Sequence, residues 1–481
     1  MERPMKNTHV KYRLGRPLTG VRWRNAALYL VAGAFLLAAS CHNADEAPGH
    51  VTFTENIAPI FYAHCSICHR PGGSAHFALV TYDDARKNAG AIAFEVKERL
   101  MPPWPADPHY TQFLGQRLLT NQDIAMIVKW AADGAPEGPK SKLPALPEYP
   151  EGSTVGTPDA RVPVPPYYLK KNSYDQFLMI KVPFELPRDT FASLIEFVPG
   201  SHNIVHHENG DLIKYDYDKK KNVFDGERWL NTSTDTATLK EAYARLGLPN
   251  DDGTYPVLQK SVVNYLPGVA GQRYPEGIGG YRIPRKGAFF LNDIHYGFTG
   301  KEDVTDSSYI NIFYAKSPPK RPVMEFQLGT LSTFNLAPVE PDLIIQANTT
   351  KEVYSRFTVQ QDISVLTVNP HMHLLGKSFK GYALKPDGDT IRLISIPRWD
   401  FNWQYFYTFP KMVKIPRGST IVAEGVYDNT KENLNNPFSP PRVVTGTDGS
   451  MKSTDEMFQF IITYLPYQPG DENISLDATR R

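Results

Sequence analysis

The motif Cys65-Ser66-Ile67-Cys68-His69 has the residue types and spacing that attach a c-type haem. Two thiols at this spacing can add to the two vinyl groups of a porphyrin, and the histidine after them can bind the iron. A zinc half-site or a redox pair is the alternative, but zinc needs further ligands, and the chain has one other cysteine, Cys41. The motif therefore predicts covalent haem c on Cys65, Cys68 and His69.

Met101 is the candidate for the second axial ligand of this iron. It follows a stretch with helical apolar spacing and precedes two prolines, which makes it poorly suited to the core of a helix. A methionine opposite histidine raises the potential of a haem. The alternatives are His64, His76 and His109, or an open position.

Histidines predict a second metal chemistry in the rest of the chain. Beyond residue 110 there are six, and they fall into three short clusters. His371 and His373 are two apart, so in a strand both imidazoles point to one face and can bind one ion. His206 and His207 are adjacent and can share an ion only where their strand bends or ends. With His295, this grouping indicates a metal site assembled from separate strands.

The order of four motifs resembles the copper type II, ascorbate-dependent monooxygenases, the family of peptidylglycine α-hydroxylating monooxygenase and dopamine β-monooxygenase. The resemblance covers roughly Pro158 to Tyr467 and implies two jelly-roll domains that face each other across a solvent-filled cleft, each with one copper. The motifs are Ile204-Val205-His206-His207, Asp293-Ile294-His295-Tyr296-Gly297, His371-Met372-His373-Leu374-Leu375-Gly376-Lys377 and Ser453-Thr454-Asp455-Glu456-Met457.

Ligand roles follow from this resemblance. It implies that an electron-storing copper is bound by His206, His207 and His295. It also implies that the copper which meets O2 and substrate is bound by His371, His373 and Met457, and a thioether favours Cu(I). The implied reaction inserts one oxygen atom into a C–H bond of a small organic substrate and sends the other to water.

The sequence departs from the family in three respects. The β region has no cysteine, whereas the animal enzymes are held by disulfides. Asn369, Gln459 and Ile461 stand where the peptide-processing member has the arginine, asparagine and tyrosine that grip a substrate carboxylate. We therefore expect that peptides ending in glycine are not substrates. His202 has no assigned role; it either holds a ligand imidazole in place or is an ordinary surface histidine.

The chain begins with a basic region and an apolar stretch from Ala26 to Ala39, followed by Ser40-Cys41. This stretch is shorter than the ~20 residues of a spanning helix, and small residues follow it as at a cleavage site. The sequence around Cys41 resembles a bacterial lipobox, with an ordinary secretory signal as the alternative. We predict export to the periplasm and attachment to the membrane through lipidated Cys41.

The elements that must position these residues change in type along the chain. Residues 50–140 have helical apolar spacing and predict a small all-α cytochrome c domain, after a signal segment at 1–41. Residues 141–168 are rich in proline and predict a linker. Short strands with turn signals then predict two all-β jelly-roll sandwich domains, at 169–320 and 321–481. The net charge of +1 argues against a nucleic-acid partner.

Two other functions are compatible with the same predicted metal sites. A periplasmic copper-binding or copper-delivery protein with a haem would bind copper without substrate-dependent oxygen uptake. An electron carrier or a reductase of a nitrogen oxide is disfavoured because such reductases use a cysteine-ligated copper. For the monooxygenase, the electron donor is an ascorbate-like reductant or another cytochrome, and the attached haem replaces or supplements it.

Overall fold

The computed structural model describes residues 47–149, 152–153, 155–173, 176–269, 271, 273–332, 336–446 and 452–477. The predicted signal segment and Cys41 lie outside these ranges. Within them, no helix combines the length and the apolar character that crossing a bilayer requires.

The N-terminal part is a small helical unit. After a π-helical turn at Phe53–Ile57 it contains α1 (Ala58–His64), α2 (Tyr82–Lys87), α3 (Ala89–Lys97) and α4 (Asn121–Ala132). Phe53, Phe61 and Trp130 form its centre, with ring centroids 6.2–6.4 Å apart. Thr120 begins α4 with a capping box, in which its hydroxyl accepts from the Asp123 amide at 3.0 Å. These helices lie within residues 50–140, where apolar spacing predicted a helical unit.

In the rest of the described chain nearly all regular elements are strands. A short helix, α5, spans Leu239–Arg245, and 3-10 turns lie at Lys140–Lys142 and Asp471–Asn473. The strands are β1 (Ala160–Pro163), β2 (Tyr167–Leu169), β3 (Gln176–Glu185), β4 (Thr190–Val198), β5 (Val205–Lys214), β6 (Trp229–Asn231), β7 (Val257–Tyr265), β8 (Tyr281–Ile283), β9 (Lys286–Tyr296), β10 (Val304–Asp306), β11 (Tyr309–Tyr314), β12 (Met324–Gly329), β13 (Ile344–Ile345), β14 (Thr350–Thr358), β15 (Ile363–Met372), β16 (Gly376–Leu384), β17 (Thr390–Ile396), β18 (Tyr407–Ile415), β19 (Thr420–Asp428), β20 (Val444–Thr445) and β21 (Phe458–Pro466).

The first β unit packs an antiparallel sheet of order β6-β3-β9-β5-β7 against one of order β1-β11-β4-β8. Residues of both sheets share one core, for example Ile180, Phe289 and Ile312. The proline-rich segment predicted as a linker contributes β1, which pairs with β11, and the beginning of β2, which pairs with β10. The sheet therefore begins before the predicted domain start at residue 169.

The second β unit repeats this arrangement. Sheets of order β12-β21-β15-β18 and β14-β19-β16-β17 enclose a core that includes Val365, Phe379 and Phe460. The central strand β15 is buried along nearly all its length. The predicted mostly-β fold is confirmed, and its paired sheets are consistent with β-sandwich domains.

The helical unit is joined to the second β unit by the segment 103–114, which we call the docking segment. Ala106 and Phe113 of this segment belong to the core of the second β unit. The Asp107 amide donates to the Ser395 carbonyl, and the Leu114 amide donates to the Thr408 carbonyl, both at 2.8 Å. Residues predicted as part of a separate cytochrome domain thus complete the packing of a β domain.

A cavity of about 970 Å³, here the central cavity, is bordered by both β units and by the helical unit. Glu325 of β12 lines it together with Asp211 and Lys260 of the first β unit. Burial raises the pKa of Glu325 to about 8, although the Thr463 hydroxyl donates to it at 3.2 Å and lowers that pKa. The carboxyl is therefore most easily accommodated while it is protonated.

We expect the protein to lose stability as the pH rises from about 4.5 to about 8, between the ordinary pKa of Glu325 and its folded-state pKa. In this window the folded protein keeps the Glu325 proton that the unfolded chain has released, so the contribution of Glu325 is fully present below about 4.5 and is lost once the pH passes 8. The melting temperature of Glu325→Gln should decrease less with pH across this range, because the variant has no carboxyl group to ionise at residue 325. Each kcal/mol of difference in stability corresponds to roughly 2–4 °C. The exposed Glu302→Gln is the matched control, and equal slopes in all three proteins would contradict the prediction.

Candidate copper centre

The His371–His373 cluster is formed where β15 ends, and Glu456 holds it to the chain that precedes β21. One Glu456 oxygen accepts from the His373 amide at 3.0 Å and the other from the Leu375 amide at 2.7 Å. Met457 follows directly and is 1% exposed, and its carbonyl accepts from the Tyr427 hydroxyl. These bonds bring Met457 to the two histidines from a distant part of the sequence.

Both imidazoles of this cluster are oriented through Nδ1. His371 Nδ1 bonds the Gln404 side-chain oxygen, and His373 Nδ1 bonds the Asp455 carbonyl at 2.9 Å. Because both partners are acceptors, each Nδ1 carries the proton and each Nε2 keeps its lone pair. The ring centroids are 5.0 Å apart. Two imidazoles on one ion, with nitrogen–metal bonds of about 2 Å, have centroids about 5 Å apart.

Protonation does not compete strongly for these nitrogens. Burial and, to a smaller extent, the neighbouring His373 lower the pKa of His371 to about 3. Burial also lowers the pKa of His373. Neutral imidazole is the form that binds metal, so both side chains are in that form over the whole neutral range.

The second cluster combines His206 and His207 of β5 with His295 of β9. Val205 pairs with Tyr296 and His207 pairs with His295, so His206 is the additional residue of a β-bulge. The bulge provides the bend that adjacent ligands need. The ring centroid of His295 is 4.7 Å from that of His206 and 5.1 Å from that of His207. These separations also suit imidazoles that share one ion.

Two neighbours fix the rings of this cluster. His207 Nε2 lies 3.2 Å from the Asp293 carboxylate. Burial would raise the pKa of Asp293, but the hydrogen bond from His207 and the nearby His295 lower it overall, so Asp293 is ionised. His206 lies over Gly297, where an added Cβ would be 2.4 Å from Nε2. The glycine of the His-Tyr-Gly motif thus makes room for the His206 ring.

The two clusters meet across the central cavity. His207 lines it from the first β unit, and His371 and Met457 line it from the second. The Phe401 ring lies between them, with its centroid 6.1 Å from that of His207 and 5.7 Å from that of His373. Asn369, Gln459 and Ile461, the residues at the missing peptide clamp, line the same cavity.

Within the described ranges, no three His, Cys, Asp or Glu side chains are already close enough to hold an ion. The donors nevertheless fit copper. The His371–His373 cluster offers two neutral imidazoles beside a buried thioether, and the His206 ring occupies a space that a Cβ at residue 297 would fill. Binding requires small movements of side chains that already face one another.

The haem motif lies on the helical unit beside the same cavity. Its thiols Cys65 and Cys68 are not in a disulfide. His69 Nδ1 bonds the Phe77 carbonyl at 3.0 Å, which leaves Nε2 for an iron ligand. Cys68 Sγ would lie 2.7 Å from a Cβ at Gly268 of the first β unit, and Ile67 lines the central cavity. These residues would suit haem attachment, and the motif lies against the first β unit.

Met101 and His202 occupy less constrained positions. Met101 is 36% exposed on the turn after α3, and that turn leads into the docking segment. His202 is half-buried, and burial lowers its pKa, as does the nearby charge of Arg70. It therefore lies near the residue that follows the haem motif.

Sequence reasoning missed three groups of this centre. Glu456 was part of a recognised motif, yet its bonds to His373 and Leu375 are apparent only in the folded chain. Phe401 and Gln404 lie in the turn between β17 and β18, and nothing in the spacing of that turn indicates their contacts with the histidines.

Residues 338–475 match the family model described as copper type II ascorbate-dependent monooxygenase, C-terminal domain. The match covers most of the second β unit, including the His371, His373 and Met457 positions. It supports that family, and with it a copper-dependent oxidoreductase that uses O2, a substrate and a reductant.

A comparison with curated proteins finds no match. Among solved structures, "Structure of PNGF-II in P21 space group" is 12% identical with a TM-score of 0.23, and the alignment covers 64% of this chain and 65% of that one. "Structure of infectious bursal disease virus Gx strain" is 9% identical with a TM-score of 0.15, over 65% and 77%. Likenesses this weak do not indicate a shared fold or function.

We expect Gly297→Ala to remove one copper ion per chain and leave the other. The new methyl group would displace the His206 ring, since the three atoms nearest to the added Cβ all belong to that ring. Metal analysis after dialysis should give about one copper per chain, against the two expected for the unsubstituted protein. Gly90→Ala, on the exposed side of α3 where the backbone is helical and a Cβ meets no atom within 4 Å, is the control for substitution of a glycine. Two bound coppers in Gly297→Ala would contradict the prediction.

Proposed function

We propose that this protein is a copper-dependent monooxygenase that hydroxylates a C–H bond of a small organic substrate with O2. The observation that supports this most directly is the pairing of His371 and His373, both with Nδ1 engaged, beside buried Met457 on one cavity wall. Two neutral imidazoles and a thioether suit an ion that must be stable as Cu(I). Copper bound there would supply the one-electron chemistry with oxygen.

The protein's own side chains do the remaining work. Gln404 and the Asp455 carbonyl hold the two rings, and Glu456 holds the backbone that carries them. Phe401 and Ile461 contribute apolar surface to the cavity, where a C–H substrate can approach with little water. The absence of the carboxylate clamp argues for a substrate other than a glycine-extended peptide.

His206, His207 and His295 would hold a second copper that stores an electron. Its ligands would include no sulfur, and the Asp293 carboxylate holds the His207 ring, which suits an ion that changes oxidation state. Cys65, Cys68 and His69 would attach haem c, with Met101 as the other axial ligand. An ascorbate-like reductant or another cytochrome would be the external donor. The position of Ile67 on the central cavity supports electron entry through the haem.

The proposal also includes export. The apolar stretch before Cys41 would direct the chain to the periplasm, and a lipid on Cys41 would attach it to the membrane. Covalent attachment of haem c takes place outside the cytoplasm, so the two parts of the proposal agree.

We expect product labelled from isotopic O2 when copper-loaded protein is incubated with ascorbate and a panel of small C–H substrates. Met457→Leu should reduce the labelled product by at least about tenfold, because it removes the thioether with little change in volume. Met412→Leu, at a buried methionine of β18, is the matched control. A glycine-extended peptide in the panel should give no product.

Two results of this experiment would count against the proposal. Copper at both clusters without labelled product from the panel would favour a copper-handling protein. Rapid hydroxylation of the glycine-extended peptide would contradict the inference drawn from Asn369, Gln459 and Ile461.

We expect His69→Ala to lower turnover with at least one reductant, because the haem iron would lose its fixed imidazole. Oxygen uptake should be measured with ascorbate and with a reduced cytochrome, at equal haem content. Turnover that is unchanged with both donors would exclude the haem from the electron supply.

A further inference from the structure

The turn between β17 and β18 connects the helical unit to a copper ligand. The Gln404 side-chain oxygen accepts a hydrogen bond from His371 Nδ1. The Gln404 side-chain nitrogen, Nε2, donates to the Phe401 carbonyl at 2.8 Å. The next residue, Tyr405, donates its hydroxyl to the Pro103 carbonyl of the docking segment at 2.8 Å. One short turn thus touches a metal ligand on one side and the N-terminal part of the chain on the other.

Aromatic packing strengthens this connection. The Trp104 ring centroid lies 5.2 Å from that of Tyr405 and 5.4 Å from that of Tyr407. Phe113 lies 5.0 Å from Tyr407. Pairs at these separations contribute beyond the area they bury, so the docking segment restricts the positions open to the turn.

The turn has a second bond to the strand that carries the histidines. The Asn369 side-chain amide donates to the Tyr405 carbonyl at 3.0 Å, two residues before His371. Tyr405 is therefore fixed from both sides, by Pro103 of the docking segment and by β15. Gln404, between Trp403 and Tyr405, can then present its side chain to His371 in only a narrow range of directions.

We propose that the docking segment is a positioning element of the His371 copper site: Trp104 and Pro103 hold Tyr405, which places Gln404 to orient the His371 imidazole. The inference rests on the proposed copper site but not on the haem or on the reaction. It predicts that copper binding in the C-terminal β unit depends on residues about 300 positions earlier, which touch no copper ligand themselves. Loss of such supporting contacts typically weakens metal affinity about 10- to 100-fold.

The test measures cuprous affinity by competition with a chromophoric chelator, and the cupric electron paramagnetic resonance spectrum, in full-length protein. All variants also carry Gly297→Ala, so that copper is measured at the His371 site alone. If Gly297→Ala still binds two coppers, the same substitutions are compared in the protein without it. We expect Gln404→Leu and Trp104→Leu to weaken cuprous affinity at least about tenfold and to change the cupric spectrum. Gln404→Glu, which keeps an acceptor oxygen, should restore most of the affinity.

A matched control is available on the same segment. Tyr110 packs against Lys380 of β16 and Arg392 of β17 and not against the turn at 397–406, so Tyr110→Leu removes an aromatic ring of the docking segment that is not paired with Tyr405. It should leave affinity and spectrum unchanged. If Trp104→Leu does not fold, Tyr405→Phe removes only the hydroxyl that meets Pro103 and should show the same direction of change.

The outcomes are distinguishable. Wild-type affinity and spectrum in Trp104→Leu and Tyr405→Phe, with only the melting temperature lowered, would overturn the inference and leave the proposed function intact. Equal weakening in Tyr110→Leu would overturn it as well, because the effect would then be general to docking. No copper at the His371 site of the unsubstituted protein would overturn the proposed copper centre and this inference together.

Discussion

The Glu456 carboxyl is the interaction on which the His371–His373 cluster most depends. It accepts from the His373 and Leu375 amides, which follow the end of β15 and have no strand partner there. A buried amide without a hydrogen-bond partner lowers stability by about 1–3 kcal/mol, so these bonds stabilise the loop and fix the position of His373. Because Met457 is the next residue, the group that closes the loop also sets the position of the thioether. The Glu456 carboxylate that holds the loop and the Met457 thioether are thus adjacent in one short segment.

The two clusters differ in the ring nitrogen that remains available. His207 is held through Nε2 by the Asp293 carboxylate, whereas His371 and His373 are held through Nδ1 by uncharged oxygens. A carboxylate makes an imidazole a stronger donor and favours the higher oxidation state of a bound ion. A neutral partner beside a thioether favours the lower one. The groups that hold the imidazoles therefore distinguish the two clusters in the same direction as the proposed ligand sets do.

Local patterns account for the parts of the structure that the sequence predicted. The spacing of apolar residues indicated a helical unit within residues 50–140, and strand composition with turn signals indicated the β units that follow. Helix α2 was missed because it buries one residue, Ala85, and so has no apolar stripe. The spacing of the histidines indicated that they belong together, and the bulge at His206 supplies the bend that their adjacency demands. The docking of Trp104 and Phe113 had no local signal, because their partners are about 300 residues away and the contacts depend on tertiary packing alone.

The place of the docking segment has a consequence for biosynthesis. Ala106 and Phe113 are made early, but the core that receives them includes Tyr407, Phe409 and Phe460, which are made about 300 or more residues later. During translation the apolar surface of the segment stays uncovered until these strands emerge, and contacts this distant in sequence form slowly. The proposed export would avoid part of this difficulty, because the strands of the second β unit would reach the same compartment as the docking segment before the core closes. The strands of the second β unit thus complete the packing of the docking segment as well as that of their own sheets.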